Sequence, residues 1–440
     1  MVSVILFYLT FIVNTILAAR VSLVFIFVLY QFYYFFNPVT KWWASYIPDI
    51  RFSFYIVLTL LILVMINWKK YAKNRIFDIP QFKYLITVVI LYAIASFYAV
   101  NSASHSIALD AILTATVIII LVYKIVDTNK KLDYILWGYI ASASYLGYYI
   151  SEVGRRSGGR FSGAGMVDSP DANGVAAAIA PALLLCLYYF WVNHKWTKKV
   201  IFAIAGAFLA TAIVQIGSRG AFLGIALGTI FFMYKLYFST LQRKNQKLSV
   251  IFLIIFGLIG VAAVTDKVFW QRIASIEVVE KERLQETETG STRVYFWLAA
   301  IEMAKDHPFG AGSKGFISYS HLYLPENIET GGSRNRAVHS TWFEALTEIG
   351  YAGFLAFIGL IIYCLLTLQK AANVLKHNRD ADNYFKVIAI QSSFLCFIII
   401  MTFLNRLRAE ILYWLILYSA VAYNIFVLKV EQKLKKVTND

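Results

Sequence analysis

Residues 54–66 read FYIVLTLLILVMI, thirteen positions without a charged side chain. A transmembrane β-strand alternates apolar and polar positions, whereas a continuous apolar run is typical of a helix that crosses a bilayer. Similar runs recur along the chain, and of its 440 residues 59% are hydrophobic and only 15% are charged. Because soluble domains carry about a quarter charged residues, this composition excludes a soluble globular enzyme.

The nearly uncharged runs predict an all-α, polytopic membrane protein with about 12–13 transmembrane helices. They fall at 3–19, 21–36, 52–67, 84–100, 107–124, 132–150, 173–192, 199–217, 220–237, 249–265, 340–368, 385–405 and 410–428. We divide the chain into N-terminal helices (1–150), helices with a first outer loop (151–265), a large, partly helical outer loop (266–338), and C-terminal helices with a tail (339–440). The cysteines lie far apart in apolar runs and predict neither a disulfide framework nor a metal cluster: Cys186, Cys364 and Cys396.

The distribution of lysine and arginine predicts the orientation. One alternate set of loops, with the C-terminal tail, holds 20 Lys and 4 Arg, and by the positive-inside rule we place it in the cytoplasm. The net charge of +16 is therefore explained by lysines and arginines that orient the protein in the membrane. No nucleic-acid partner is expected. The long loops then face outward, and we expect the functional site there.

The outer loops hold 12 Arg and 5 Lys, the reverse of the inner preference. Topology is indifferent to which residue supplies the charge, so this bias needs a separate reason. Arginine grips phosphate or carboxylate oxygens through two parallel hydrogen bonds, which lysine cannot do. The alternative is that these arginines form ordinary surface salt bridges.

The first outer loop reads RRSGGRFSGAG at 155–165 and DSPDANG at 168–174. Arg155, Arg156 and Arg160 supply charge for an anion, and the glycines allow backbone N–H groups to approach it closely. This pattern is typical of a pyrophosphate cradle. A flexible basic turn that touches anionic lipid headgroups remains an alternative.

Arg219 lies between two apolar runs, within Gly217-Ser-Arg-Gly220. A lone arginine at membrane depth costs several kcal/mol unless it snorkels or meets an anion, so it is a functional candidate. A snorkelling arginine at a helix end is the structural alternative.

The large outer loop contains a predicted amphipathic helix that begins near Arg293. Trp297, Ala300, Ile301 and Ala304 share one face of it, which predicts packing against the membrane or the helix bundle.

The same loop ends at Arg336 and His339, where the next apolar run begins. An imidazole at this boundary can act as a general base, because its titration lies near neutral pH. Glu344 or Glu348, one or two turns later, can orient its ring. A purely structural histidine is the alternative.

Several familiar chemistries lack their residues. The sequence contains no HExxH, no paired CxxC and no Walker loop. We therefore expect neither a metal nor another cofactor.

Taken in order, these motifs resemble the O-antigen ligase and O-antigen polymerase superfamily. The likeness covers about 155–368, and the usual asparagine after the histidine is Ser340 here. It is carried by the glycine- and arginine-rich loop with its Asp/Asn turn, Ser218-Arg219-Gly220, Arg293…Trp297, His307-Pro-Phe-Gly-Ala-Gly312, and His339-Ser-Thr-Trp342…Glu348-Ile-Gly350.

The resemblance implies a GT-C-like glycosyltransferase of the bacterial inner membrane. It implies that the enzyme moves a glycan from undecaprenyl diphosphate onto an acceptor at the periplasmic face, without metal or nucleotide. It implies that Arg160 and Arg219 hold the diphosphate and that His339 activates the acceptor hydroxyl. Arg336 or Arg293 assists. We add four residues to the substrate-binding set: Arg155, Arg156, Asn173 and Trp342.

The acceptor is a sugar of a lipid A core for a ligase, or another lipid-linked glycan for a polymerase of O-antigen or exopolysaccharide, and the sequence leaves both open. Protein O-glycosylation is a third family activity. A transporter of lipid-linked oligosaccharides is the alternative from a different class. Membrane lipids surround the protein in every case.

Overall fold

The computed structural model describes residues 2–153, 161, 165–166, 168–265, 292–326 and 333–437. Within these ranges the chain is helical, and the β-type contact that occurs is a single bridge between Met166 and Ser169. The α-helices are α1 (Val2–Arg20), α2 (Val24–Phe36), α3 (Phe52–Ile66), α4 (Trp68–Tyr71), α5 (Pro80–Ala95), α6 (Ser102–Ile125), α7 (Asn129–Val153), α8 (Ala172–Val192), α9 (Trp196–Ile216), α10 (Arg219–Phe238), α11 (Gln246–Val264), α12 (Thr292–Asp306), α13 (Gly315–Tyr323), α14 (Thr341–His377), α15 (Ala381–Thr402), α16 (Glu410–Tyr423) and α17 (Lys429–Val437).

Shorter turns connect these helices. Three are 3₁₀-helical and one, between α16 and α17, is π-helical: Pro38–Thr40, Ala44–Tyr46, Ile76–Asp78 and Asn424–Leu428.

The predicted all-α polytopic architecture is confirmed. Each predicted apolar run coincides with a helix, because a bilayer leaves the backbone no other way to satisfy its hydrogen bonds within one segment. Eight helices of the described ranges are long and apolar enough to cross a membrane, or nine if α3 and the bent segment after it form one span. Three further apolar helices are shorter than these candidate spans: Val24–Phe36, Pro80–Ala95 and Gln246–Gly260.

The core of the bundle lies around α16. Every residue from Ile411 to Tyr423 is buried, as expected for a helix that is apolar on all sides and surrounded by other helices. It packs against α5, α6, α7, α14 and α15. In contrast, only 17% of α1 is buried, so this helix lies at the edge.

The alternate loops gather at two opposite ends of the bundle. At one end, which we call the site end, Val100 N–H donates to Ala311 O at 3.0 Å and the Tyr34 hydroxyl to Asp168 at 2.7 Å. The site end also holds the α15–α16 turn, residues 403–409. At the other end, which we call the opposite end, Lys386 pairs with Asp133. The separation of the loops into two sets agrees with the sequence, whereas the side of the membrane that each faces stays a prediction.

Helix α14 is broken at Gly350, whose backbone angles are φ 66° and ψ −170°. The turn at 307–312 fills the break. Ala311 N–H donates to Thr347 O at 2.8 Å, and Tyr351 N–H donates to Pro308 O at 3.0 Å. Backbone groups released by the break are thus satisfied within the protein, as a non-helical segment at membrane depth requires.

Helix α12 buries a face slightly different from the predicted one. Phe296, Ala300 and Met303 are buried in a small cluster beside the bundle, while Ile301 is 38% exposed. The prediction that the helix packs on the bundle is confirmed, but the inclusion of Ile301 in its buried face is wrong.

We expect Gly350→Ala to destabilise the protein by about 3 kcal/mol, because this backbone conformation is essentially restricted to glycine. An added Cβ would also lie 2.2 Å from Pro308 O. Unfolding can be followed in detergent with a thiol-reactive dye, which reports exposure of the three buried cysteines: Cys186, Cys364 and Cys396.

Gly257→Ala is the matched control, since a Cβ there meets no heavy atom of the described residues within 4 Å. Equal melting temperatures for the two variants would contradict the role assigned to the break.

Candidate functional site

The start of α14 is fixed to the α15–α16 turn. The Thr341 hydroxyl donates to Leu404 O at 2.7 Å and accepts from Arg406 N–H at 2.8 Å. The indole N–H of Trp342 donates to the Thr402 hydroxyl at 3.0 Å. These bonds hold the residues just before α14, including the candidate base, against the turn.

The first turn of α10 and helix α12 meet the same turn at Phe403. A Cβ added to Gly220 would lie 3.9 Å from the Phe403 Cβ, so the residue after Arg219 lies beside Phe403. The Arg293 guanidinium donates to Phe403 O at 3.2 Å, and the Trp297 ring centroid lies 6.2 Å from that of Phe403. The α15–α16 turn therefore brings together the segments that carry the two arginines and the histidine.

The candidate base His339 is half-buried and has a left-handed backbone conformation, φ 52°. Such a conformation costs a non-glycine residue of order 1 kcal/mol and persists only where surrounding contacts impose it. One of these contacts is the hydrogen bond from the Trp297 indole N–H to Val338 O, at 3.1 Å. The next residue, Ser340, is fully buried, and its hydroxyl has no hydrogen-bond partner within the described ranges.

Arg408 joins α14 to the α15–α16 turn. Its guanidinium pairs with Glu344 at 2.5 Å and with Glu348 at 2.6 Å, and it donates to the Tyr92 hydroxyl at 2.9 Å. Burial opposes the charge of Arg408, but the two carboxylates outweigh it and raise the pKa of the guanidinium well above its ordinary value. Glu344 also accepts from Leu407 N–H at 3.2 Å.

These bonds give Glu344 and Glu348 a partner other than His339. Sequence reasoning assigned Glu344 or Glu348 to orient the ring of His339, whereas both carboxylates bind Arg408. Their position on the inner face of α14 instead stabilises the site end.

Arg406 binds the polar DSPDANG turn, residues 168–174, at the end of the first outer loop. Its guanidinium donates to the Ser169 hydroxyl at 2.7 Å and to Asp168 O at 3.2 Å, and pairs with Asp171 at 3.1 Å. Gly174 permits this approach, because a Cβ there would lie 2.5 Å from the guanidinium.

Asp168 is fixed from two more directions. Its carboxylate accepts from the Tyr34 hydroxyl at 2.7 Å and from Glu410 N–H at 2.8 Å. The DSPDANG turn thus uses its carboxylates within the protein. Asn173 lies in the first turn of α8, directly before Gly174, and its substrate-binding role stays a prediction.

The arginines predicted in the first outer loop lie outside the described residues: Arg155, Arg156 and Arg160. The residue after them is described. Phe161 N–H donates to Gln215 O at 3.2 Å, and Gln215 lies four residues before Arg219. The first outer loop is therefore attached at Phe161, next to the start of α10.

The remaining candidates lie on either side of His339. Arg336 is half-buried three residues before it. Trp342 is half-buried, with its ring centroid 5.6 Å from that of Phe357 and its N–H bound to Thr402. Both residues lie three positions from His339 along the chain, and their contact with substrate stays a prediction.

Sequence reasoning missed Arg406 and Arg408. The signal was present, since the two arginines stand in a seven-residue turn between apolar helices, as Arg219 does between α9 and α10. What the sequence does not contain is the identity of their partners, which come from distant helices.

The described residues contain no group of three or more His, Cys, Asp or Glu side chains arranged to hold a metal ion. The site end instead offers guanidinium groups and imidazoles, among them that of His339.

Comparison with known protein families gives a match to part of the chain. Residues 204–358, about a third of the chain, match the family described as O-Antigen ligase. The matched part begins within α9 and ends in α14, so it includes Arg219, Arg293 and His339 but not the first outer loop. No curated protein matches the chain. The match over residues 204–358 confirms the resemblance to the O-antigen ligase and polymerase superfamily.

Proposed function

We propose that this protein transfers a glycan from a polyprenyl diphosphate onto the hydroxyl of an acceptor sugar, as an O-antigen ligase-like enzyme. The observation that carries the proposal is the meeting of α10, α12 and the start of α14 at the α15–α16 turn. This places the segments of Arg219, Arg293 and His339 around Phe403 and Leu404. The family match supports a glycosyl-transfer enzyme that uses a lipid-linked glycan and an acceptor.

In the proposed reaction the acceptor oxygen attacks the anomeric carbon of the donor. His339 takes the hydroxyl proton, the new glycosidic bond forms, and the bond from carbon to the diphosphate oxygen breaks with inversion. Diphosphate leaves readily once its charge is compensated, so the enzyme needs electrostatic stabilisation and one base. No metal or nucleotide enters this scheme.

Arg219 suits the diphosphate by its position. It is exposed and is the first residue of α10, whose first turn contains no acidic residue. The positive end of the helix dipole adds to its charge, and a planar guanidinium matches phosphate oxygens. Arg160, Arg293 and Arg336 complete the proposed arginine set.

The base is assigned to His339 because the first two carboxylates on the helix that follows it are occupied. Glu344 and Glu348 are both bound to Arg408 and buried, so neither is placed to accept a proton from an incoming hydroxyl. The restrained backbone of His339 supports a preorganised base.

We expect His339→Ala to lower the transfer rate by about 10²–10⁴-fold, the usual contribution of a general base. The measurement is turnover of a purified lipid-linked glycan with a sugar acceptor. His321→Ala is the control, since His321 is exposed on α13 at the site end. If both variants retain full turnover while folded, His339 is not the base.

We expect Arg219→Ala to lower turnover by about 10²–10³-fold, the usual cost of removing a group that stabilises developing negative charge. Arg219→Lys restores only part of the loss, because a point charge does not replace two parallel hydrogen bonds. Arg51→Lys, at an exposed arginine of another site-end loop, is the control. Full activity of Arg219→Lys would contradict bidentate recognition of the diphosphate.

Product analysis tests the reaction itself. Purified protein with a lipid-linked glycan and acceptor should release free polyprenyl diphosphate in amounts equal to the glycan transferred. A transporter of the donor releases none, which would overturn the proposal. Offering a lipid A core in one reaction and only a second lipid-linked glycan in another separates a ligase from a polymerase.

A further inference from the structure

A cavity of about 750 Å³ lies at the opposite end of the bundle, far from the candidate site. It is formed by the turn after α10 and by the turn that joins α14 to α15. Lys376, His377 and Arg379 line it together with the polar side chains of Thr240 and Gln242. None of its lining residues is acidic.

The nearest carboxylates are occupied elsewhere. Asp380 caps α15 by accepting from the backbone and side-chain N–H groups of Asn383, and Asp382 pairs with Arg243. Across the described ranges, the side chains of Lys376 and Arg379 form no ion pair or hydrogen bond.

Three lysines of the opposite end are paired with carboxylates. Lys131 pairs with Asp127 at 2.6 Å, Lys386 with Asp133 at 2.6 Å and Lys370 with Glu431 at 3.1 Å. Lys376 and Arg379 differ from these three lysines, because no carboxylate lines their cavity.

The end of α14 beside the cavity repels an anion little. The last carbonyls of α14 are capped, since the N–H groups of Asn378, Arg379 and Asp380 donate to Val374 O, Lys376 O and Leu375 O. Their partial negative charge is thereby reduced.

From the other side, Ala381, the first residue of α15, lines the cavity. The partial positive charge of this helix N-terminus is offset by Asp380 at its N-cap and Asp382 in its first turn, so attraction of an anion depends on Lys376 and Arg379.

We propose that this cavity binds the phosphate of an anionic membrane phospholipid, with Lys376 and Arg379 as its charged ligands. Exposed apolar side chains stand beside it, Phe238 at the end of α10 and Leu248 in the first turn of α11. A headgroup in the cavity leaves its acyl chains next to this apolar surface. Basic pockets between transmembrane helices recognise lipid headgroups in this way.

The test measures binding of short-chain phosphatidylglycerol, short-chain phosphatidylcholine and inorganic phosphate to the full chain in detergent by native mass spectrometry. The double variant Lys376→Gln/Arg379→Gln should bind phosphatidylglycerol about tenfold more weakly than wild type, because it loses two charged phosphate contacts. Phosphatidylcholine should bind weakly to both proteins.

Lys69→Gln/Lys73→Gln is the charge-matched control. Both lysines are exposed in another connection at the opposite end, and neither lines the cavity. It should retain wild-type affinity. Equal losses for the two double variants would show that net charge alone attracts the lipid and would overturn the site. Binding of inorganic phosphate as tight as that of phosphatidylglycerol would overturn the lipid assignment.

Discussion

The hydrogen bonds between the 307–312 turn and the broken helix α14 are the constraint on which the site end depends. A span that stops helical geometry at Gly350 releases backbone groups that water does not reach, and the turn supplies partners for them. Gly310, at φ 84°, lets the two backbones approach, because a Cβ there would lie 2.5 Å from Glu348 O. The outer loop is thereby fixed to the same helix that begins just after the candidate base.

Two kinds of arginine follow from this arrangement. Arg406 and Arg408 are bound by carboxylates of the protein. Their ion pairs hold α8, α14 and the α15–α16 turn together. Removing the Arg408 side chain would leave the buried carboxylates of Glu344 and Glu348 uncompensated, which typically costs about 3–5 kcal/mol. Arg219 lies exposed as the first residue of α10, where the helix dipole adds to its positive charge. This exposed position favours Arg219 over the half-buried Arg408 as a ligand of diphosphate.

The helices were predictable because a bilayer imposes continuous apolar runs, and each run became a helix. The grouping of Arg219, Arg293 and His339 was predictable only through the order of family motifs. The partners of Arg406 and Arg408 were not, because Ser169 and Glu348 lie 237 and 60 residues away along the chain. For the same reason the sequence pointed to a glutamate beside His339, where geometry assigns that glutamate to an arginine. The break at Gly350 is hidden too, since the flanking residues continue an apolar helical pattern.

The ion pairs also change what the positive charge of the chain means. Sequence counts treat every lysine and arginine of a loop as equal evidence for orientation. In the structure, Arg243 and Lys386 of the opposite end are neutralised by carboxylates, while Lys376 and Arg379 share a cavity without one. Orientation needs only the sum of these charges, whereas recognition of an anion needs charges that converge and are not already paired. Convergence of that kind distinguishes a binding site from a topological signal at either end of the bundle.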